Sequence, residues 1–356
     1  MKFRPVSHSW VALHPKPQGV IQFIGGMFFG TFWPMLFYRS LLQRLFNDRY
    51  TIVILPFNFT FDHYAESGFL IREQYEIMPE LVRRARFAGY DYEPYLNDQN
   101  FSWIGHSVGC KYIALLEAFS ALPTIGKPAD PGYLHRIQEL SKFIESIVRG
   151  TANKKDSQAK IKSKVESIFT DLLILINDLE IRREETKRLI EYYIKGEDNG
   201  KQSKNEIEIS SIFIKNQPSL LLAPVNTSLE SAVPQPFASI FIALGLLNVK
   251  PTPEETYALI HQGNLFNLMG LISFKKDKIA LQTCYRFEND FQKPPAGFKK
   301  NLKGGHLRPL GIKLGSFVIK FPIPTIEYIQ KRNTDFETPV SQLFQLLEDQ
   351  QANTQK

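Results

Sequence analysis

A chain of 356 residues, 43% of them hydrophobic, is long enough to bury a large core, in two domains or in one α/β domain with insertions. The net charge of +7 and pI near 9.1 permit anionic substrates or an acidic membrane surface. Lys and Arg form no block interleaved with aromatics, which argues against nucleic acid, and two cysteines, Cys110 and Cys284, give neither a disulfide framework nor a metal pattern, in keeping with a reducing compartment.

No basic segment followed by an apolar one opens the sequence, so no secretory signal is expected. No apolar run approaches the ~18 uncharged residues of a membrane span. The nearest, Val20 to Tyr38, is broken by Gly25, Gly26, Gly30 and Pro34.

In chain order, Ser9 to His14 is a short strand. Gly19 to Ile24 is a stronger one and runs into Gly25-Gly26-Met27-Phe28-Phe29-Gly30. A helix opens at Thr31 or Pro34 and reaches about Phe46. Tyr50 to Phe57 is near-continuously apolar, as a parallel strand buried on both faces must be. Glu66 to Arg86 reads as helix. Phe101-Ser102-Trp103-Ile104-Gly105-His106-Ser107-Val108-Gly109 is an apolar strand entering G-x-S-x-G, and Cys110 to Phe119 continues as helix. Strand, tight turn at a serine, and helix make a nucleophile elbow, which exposes Ser107 at the sheet edge. The amide of Val108, at the helix N-terminus, is free to meet an anion.

Residues 122–216 break the alternation. Pro123, Gly126, Pro128, Pro131 and Gly132 punctuate its start, and charged helix follows. There Ile161, Val165, Ile168, Leu172, Ile176 and Leu179 recur at spacings of three and four, forming one apolar face. Gly196 to Asn205 is a polar loop. The segment is a helical insertion: passive packing, a lid, or a surface for a protein partner. Ser219 to Val225, Leu268 to Phe274 and Phe298 to Leu302 resume the strands. Between the first two, Ser228 to Asn267 carries cap-like helices at Phe237 to Leu247 and Glu254 to His261. The pattern divides into 1–121 and 217–330 as core, 122–216 as insertion, and 331–356 as a C-terminal helix and tail. The fold class is α/β: a mostly parallel, doubly wound sheet with a helical insertion.

A serine needs a base, and in this fold the chain order is Ser, then Asp or Glu, then His. Of the downstream histidines, His135 lies in the charged insertion and His261 in a helix. His306 follows a strand in Lys303-Gly304-Gly305-His306-Leu307, where the glycines let the loop turn back over the sheet. The orienting acid should follow a strand. Asp277 does; Glu230 is its rival, and Asp290 a weaker one in a helix-like stretch. The second oxyanion donor belongs to the loop after Ile24, at Met27 or alternatively Gly26. Phe28, Phe29 and His106 are the expected substrate contacts, with Phe32, Trp33 and Phe37 adding to an apolar pocket or to plain core. No metal or organic cofactor is expected.

Phe23-Ile24-Gly25-Gly26, Pro56 to His63, Trp103 to Lys111 and Gly305-His306-Leu307 together resemble the α/β-hydrolase superfamily, and within it the domain of unknown function 1350 family of cyanobacteria and plastids. The resemblance spans about Gly19 to Gly311 and skips much of 122–216. It implies the α/β-hydrolase fold and a cytoplasmic or plastid stromal location, and it carries no substrate. The reading is a serine esterase, lipase or thioesterase acting on a small ester or lipid-like molecule, with membrane contact at most peripheral. The rival is a catalytically silent interaction protein that works through its insertion.

Overall fold

The computed structural model describes residues 1–58, 60, 62–126, 128–152, 156–195, 206–226, 249–263 and 265–354. Eight strands form one sheet: β1 (Arg4–Val6), β2 (Ser9–Ala12), β3 (Gly19–Ile24), β4 (Tyr50–Ile54), β5 (Phe101–His106), β6 (Ser219–Leu222), β7 (Met269–Phe274) and β8 (Lys299–Leu302). Their order is β1-β2-β4-β3-β5-β6-β7-β8. From β4 across to β8 every pairing is parallel, and β1 and β2 close one edge antiparallel. This is the α/β-hydrolase fold. The central strands β3 and β5 are buried at every residue, which accounts for their unbroken apolar runs.

The helix expected from Thr31 or Pro34 to Phe46 is three pieces: α1 (Met27–Thr31), α2 (Pro34–Phe37) and α3 (Arg39–Asn47). Trp33 breaks the first two apart, with φ +48° in the left-handed region. The 25-residue α4 (His63–Phe87) is capped by Asp62, whose carboxylate accepts from the amide of Ala65 at 3.0 Å. The elbow helix α5 (Val108–Phe119) is buried throughout.

Residues after α5 form α6 (Tyr133–Thr151) and the 38-residue α7 (Gln158–Lys195). Leu172, Leu175, Ile176, Leu179 and Ile190 of α7 are buried and belong to the same hydrophobic core as the sheet. They lie along α4, where Gly68 leaves room for Leu175 and Arg72 pairs with Asp178 at 2.5 Å. The apolar face read from the sequence is therefore covered by the core. The helix Pro253–Gly263 packs on α5 and α6. The expected helix at 237–247, the loop at 196–205 and Glu230 lie outside the described residues.

A second, three-stranded antiparallel sheet was not legible in the sequence: β9 (Ile312–Leu314), β10 (Phe317–Lys320) and β11 (Thr325–Tyr328). Its strands are three or four residues long, and all its apolar residues but Val318 lie on the outward face, the reverse of the pattern that marks a core strand. The chain then closes with the helix Thr338–Thr354.

Candidate active site

Ser107 stands between β5 and α5 with φ +58° and ψ −121°, a strained conformation for a side chain. Backbone pairings hold it: its amide donates to Leu222 O at 3.0 Å, and its carbonyl accepts from Val225 at 3.2 Å. The turn is possible because the helix start sits directly on the end of β3. A Cβ on Gly109 would fall 2.4 Å from Ile24 O, and one on Gly25 would fall 2.5 Å from the Cα of Gly30.

His306 Nε2 lies 2.9 Å from Ser107 Oγ, and His306 Nδ1 lies 2.9 Å from Asp277 Oδ2. An ionised Asp277 accepts from Nδ1–H, which leaves Nε2 as a lone pair toward the serine hydroxyl. Burial raises the Asp277 carboxyl, but His306 and the amides of Ala280 and Ile279 outweigh it and hold the group below its ordinary value. Asp277 Oδ1 accepts from both amides, at 3.0 and 2.9 Å. The loops of the two side chains are joined as well, since Lys276 N donates to Gly304 O at 2.9 Å. Asp290 pairs with Arg286 at 2.6 Å on the surface and takes no part.

Met27 and Val108 each occupy the first position of a helix, α1 and α5, where an amide has no acceptor within its own helix. The alternative donor, Gly26, is engaged elsewhere: its amide donates to Tyr38 Oη at 2.8 Å. Gly26 is therefore corrected from oxyanion donor to anchor of the loop. His106 is corrected too. It is 1% exposed rather than open to substrate. Its Nε2 lies 2.9 Å from the carbonyl oxygen of His306 and its Nδ1 lies 2.8 Å from Tyr38 Oη. A carbonyl only accepts, so Nε2 carries the proton and Nδ1 accepts from the tyrosine hydroxyl. Burial, then the neighbouring His306, lowers the His106 pKa to about 3, so the ring stays neutral.

Phe28 is partly exposed beside Met27, whereas Phe29 is half-buried, its ring 4.8 Å from Phe37 and 6.0 Å from Phe321. Lys111, one turn beyond Ser107, is buried and donates to Pro251 O at 3.0 Å. Burial lowers its pKa to about 7. Below the His306 loop, Arg308 pairs with Glu327 at 2.6 Å. Arg332 pairs with Glu337 at 2.5 Å and donates to Arg308 O at 3.1 Å. These partners come from 19 to 29 residues further along the chain than Arg308, or pair with residues that do, and no spacing announced them.

Among the described residues no group of three or more His, Cys, Asp or Glu could hold a metal ion, and no helix is long and apolar enough to cross a membrane.

Residues 2–126 match the family model described as "Protein of unknown function (DUF1350)", the family that the motifs resemble. No curated protein matches the chain. Among solved structures the chain is similar to an inhibited esterase B from Lactobacillus rhamnosis, at TM-score 0.43 and 10% identity over 98% of this chain and 84% of that one. It is also similar to the thermophilic esterase Est2 from Thermogutta terrifontis, at TM-score 0.33 and 9% identity over 85% of this chain and 79% of that one.

Proposed function

We propose that the protein is a serine hydrolase that cleaves an ester or thioester with an apolar acyl group. The observation that carries this reading is the pair of 2.9 Å contacts that line up Ser107 Oγ, His306 and Asp277. In the proposed cycle Ser107 Oγ attacks the carbonyl carbon while His306 Nε2 takes its proton. The amides of Met27 and Val108 stabilise the oxyanion. His306 then returns the proton to the leaving group, and water, deprotonated by the same nitrogen, releases the acid. Asp277 holds the tautomer and balances the imidazolium charge. Phe28, beside the oxyanion loop, is assigned to the acyl group.

A second reading, an interaction role for residues 122–216, is favoured by α7. Ile174, Ile181, Leu189 and Tyr192 fall on one side of that helix and are 46–71% exposed.

The test of the first is a fluorophosphonate probe. It should label the wild type and fail on Ser107→Ala, with p-nitrophenyl ester hydrolysis lost in parallel. Equal labelling of both, or of neither, would sink the hydrolase reading.

A further inference from the structure

The three-stranded sheet that follows the His306 loop is built inside out. Residues directly opposite one another in a sheet share a face. The registers Leu314–Phe317–Tyr328 and Ile312–Ile319–Ile326 therefore define one face made wholly of apolar side chains. That face is the outer one: Leu314 is 56% exposed, Ile326 71% and Tyr328 63%. The opposite face carries Val318 and Glu327, both buried, with Glu327 held by Arg308 two residues past His306. The sheet is thus fixed to the catalytic loop by its polar partner and offers its apolar face to the outside. An outward face of this kind in a water-soluble setting marks a surface that is covered by something else.

The apolar surface continues toward the oxyanion loop. At the turn between β10 and β11, Phe321 packs 6.0 Å from Phe29 and 5.6 Å from Phe37, while its neighbour Ile323 is 75% exposed. On the far side of that contact Phe32 and Trp33 are 59% and 69% exposed.

Charge selects the occupant. Residues 275–337, which carry Asp277, His306, this sheet and the Arg332–Glu337 pair beneath it, hold thirteen Lys or Arg and six Asp or Glu. That excess of seven equals the net charge of +7 of the whole chain, so the rest of the chain is close to neutral. Lys275, Lys276, Lys278 and Lys303, on the Asp277 and His306 loops, are exposed. A second copy seated on the same face would set two such excesses against each other, whereas an anionic lipid surface would neutralise them.

We propose that the outer face of β9–β11, together with the Phe32–Trp33 corner, docks onto an anionic lipid bilayer. The apolar side chains enter the interface and the lysines lie at the headgroups. Docking stands on the surface alone. Its consequence, that Ser107 meets substrates delivered from the bilayer, rests on the hydrolase reading.

The test is co-flotation of the full chain with vesicles. The wild type should float with phosphatidylcholine vesicles containing about one third phosphatidylglycerol, and weakly with phosphatidylcholine alone. Binding should fall as salt rises from about 50 to about 500 mM, because the Debye length shortens. Ile326→Ser with Tyr328→Ser should weaken binding about tenfold or more, as should Phe32→Ser made separately; all three positions are exposed, and circular dichroism checks their folding. Ser107→Ala should bind as the wild type does; wild-type protein that floats with the vesicles yet hydrolyses no ester and takes no fluorophosphonate label would overturn the hydrolase reading and leave docking intact. Failure of the wild type to float with anionic vesicles would overturn docking. A dimer in light scattering that the double variant dissolves would overturn it too, in favour of a second copy.

Discussion

Nε2 of His106 donates to the carbonyl oxygen of His306 at 2.9 Å. The residue before Ser107 thus holds the backbone of the histidine whose ring faces Ser107 Oγ. Through Tyr38 Oη the same ring also reaches the amide of Gly26, so the loop after β3 and the His306 loop share one buried chain of hydrogen bonds. A fixed tautomer at the buried His106 ring orients both loops.

Replacing His106 by Ala should leave the Tyr38 hydroxyl proton without an acceptor and His306 O without its donor, at a cost of about 1–3 kcal/mol. Ester hydrolysis kinetics should show kcat lower by about 10–10²-fold with KM nearly unchanged, since positioning is lost rather than binding. Tyr38→Phe, which frees the Gly26 amide, should act in the same direction. The pH dependence gives a second readout. His106 is depressed to about 3 in the folded chain, so its contribution is present above its unfolded value near 6.5 and is lost as pH falls toward 3. Urea unfolding of His106→Ala should weaken less between pH 6.5 and 4 than that of the wild type.

Asp277→Asn keeps the shape of the acid but offers His306 the wrong partner. Its kcat should fall by about 10³–10⁴-fold while fluorophosphonate labelling becomes slow rather than absent. Glu230→Gln should leave kcat within about twofold, because the Nδ1 position is already filled by Asp277. A larger loss in Glu230→Gln than in Asp277→Asn would move the acid's role to Glu230.

Glu117, inside α5, is raised to about 8 by burial, against the Phe266 amide and Lys293. A folded value above the ordinary 4.5 means that its contribution is complete below pH 4.5 and is lost as pH rises through 8. Glu117→Gln should therefore stabilise the protein at pH 8.5, by on the order of 2 kcal/mol, and change little at pH 4.5. Thermal unfolding at the two pH values checks the sign; equal shifts at both would contradict it.

The sequence alone determined the order of the core elements and the local turn that carries Ser107. Unbroken apolar runs at Gly19–Ile24 and Tyr50–Ile54 mark strands buried on both faces, and Gly105 and Gly109 bracket Ser107 because the backbones there leave no room for a Cβ. Such signals are local, written within a few residues of where they act. What only the tertiary structure decided is which distant groups meet. His106 looked like a substrate contact because it neighbours Ser107, yet a residue at the end of a buried strand points into the sheet's own packing, and its partners come from positions 38 and 306. Gly26 looked like a donor until Tyr38 took its amide. The apolar face of α7 carried no mark of its partner, and α4, which covers it, is far away in the chain. The outward apolar face of β9–β11 was invisible for the opposite reason: a period of two shows that one face is apolar, while the anchoring of Glu327 by Arg308 decides which face turns inward.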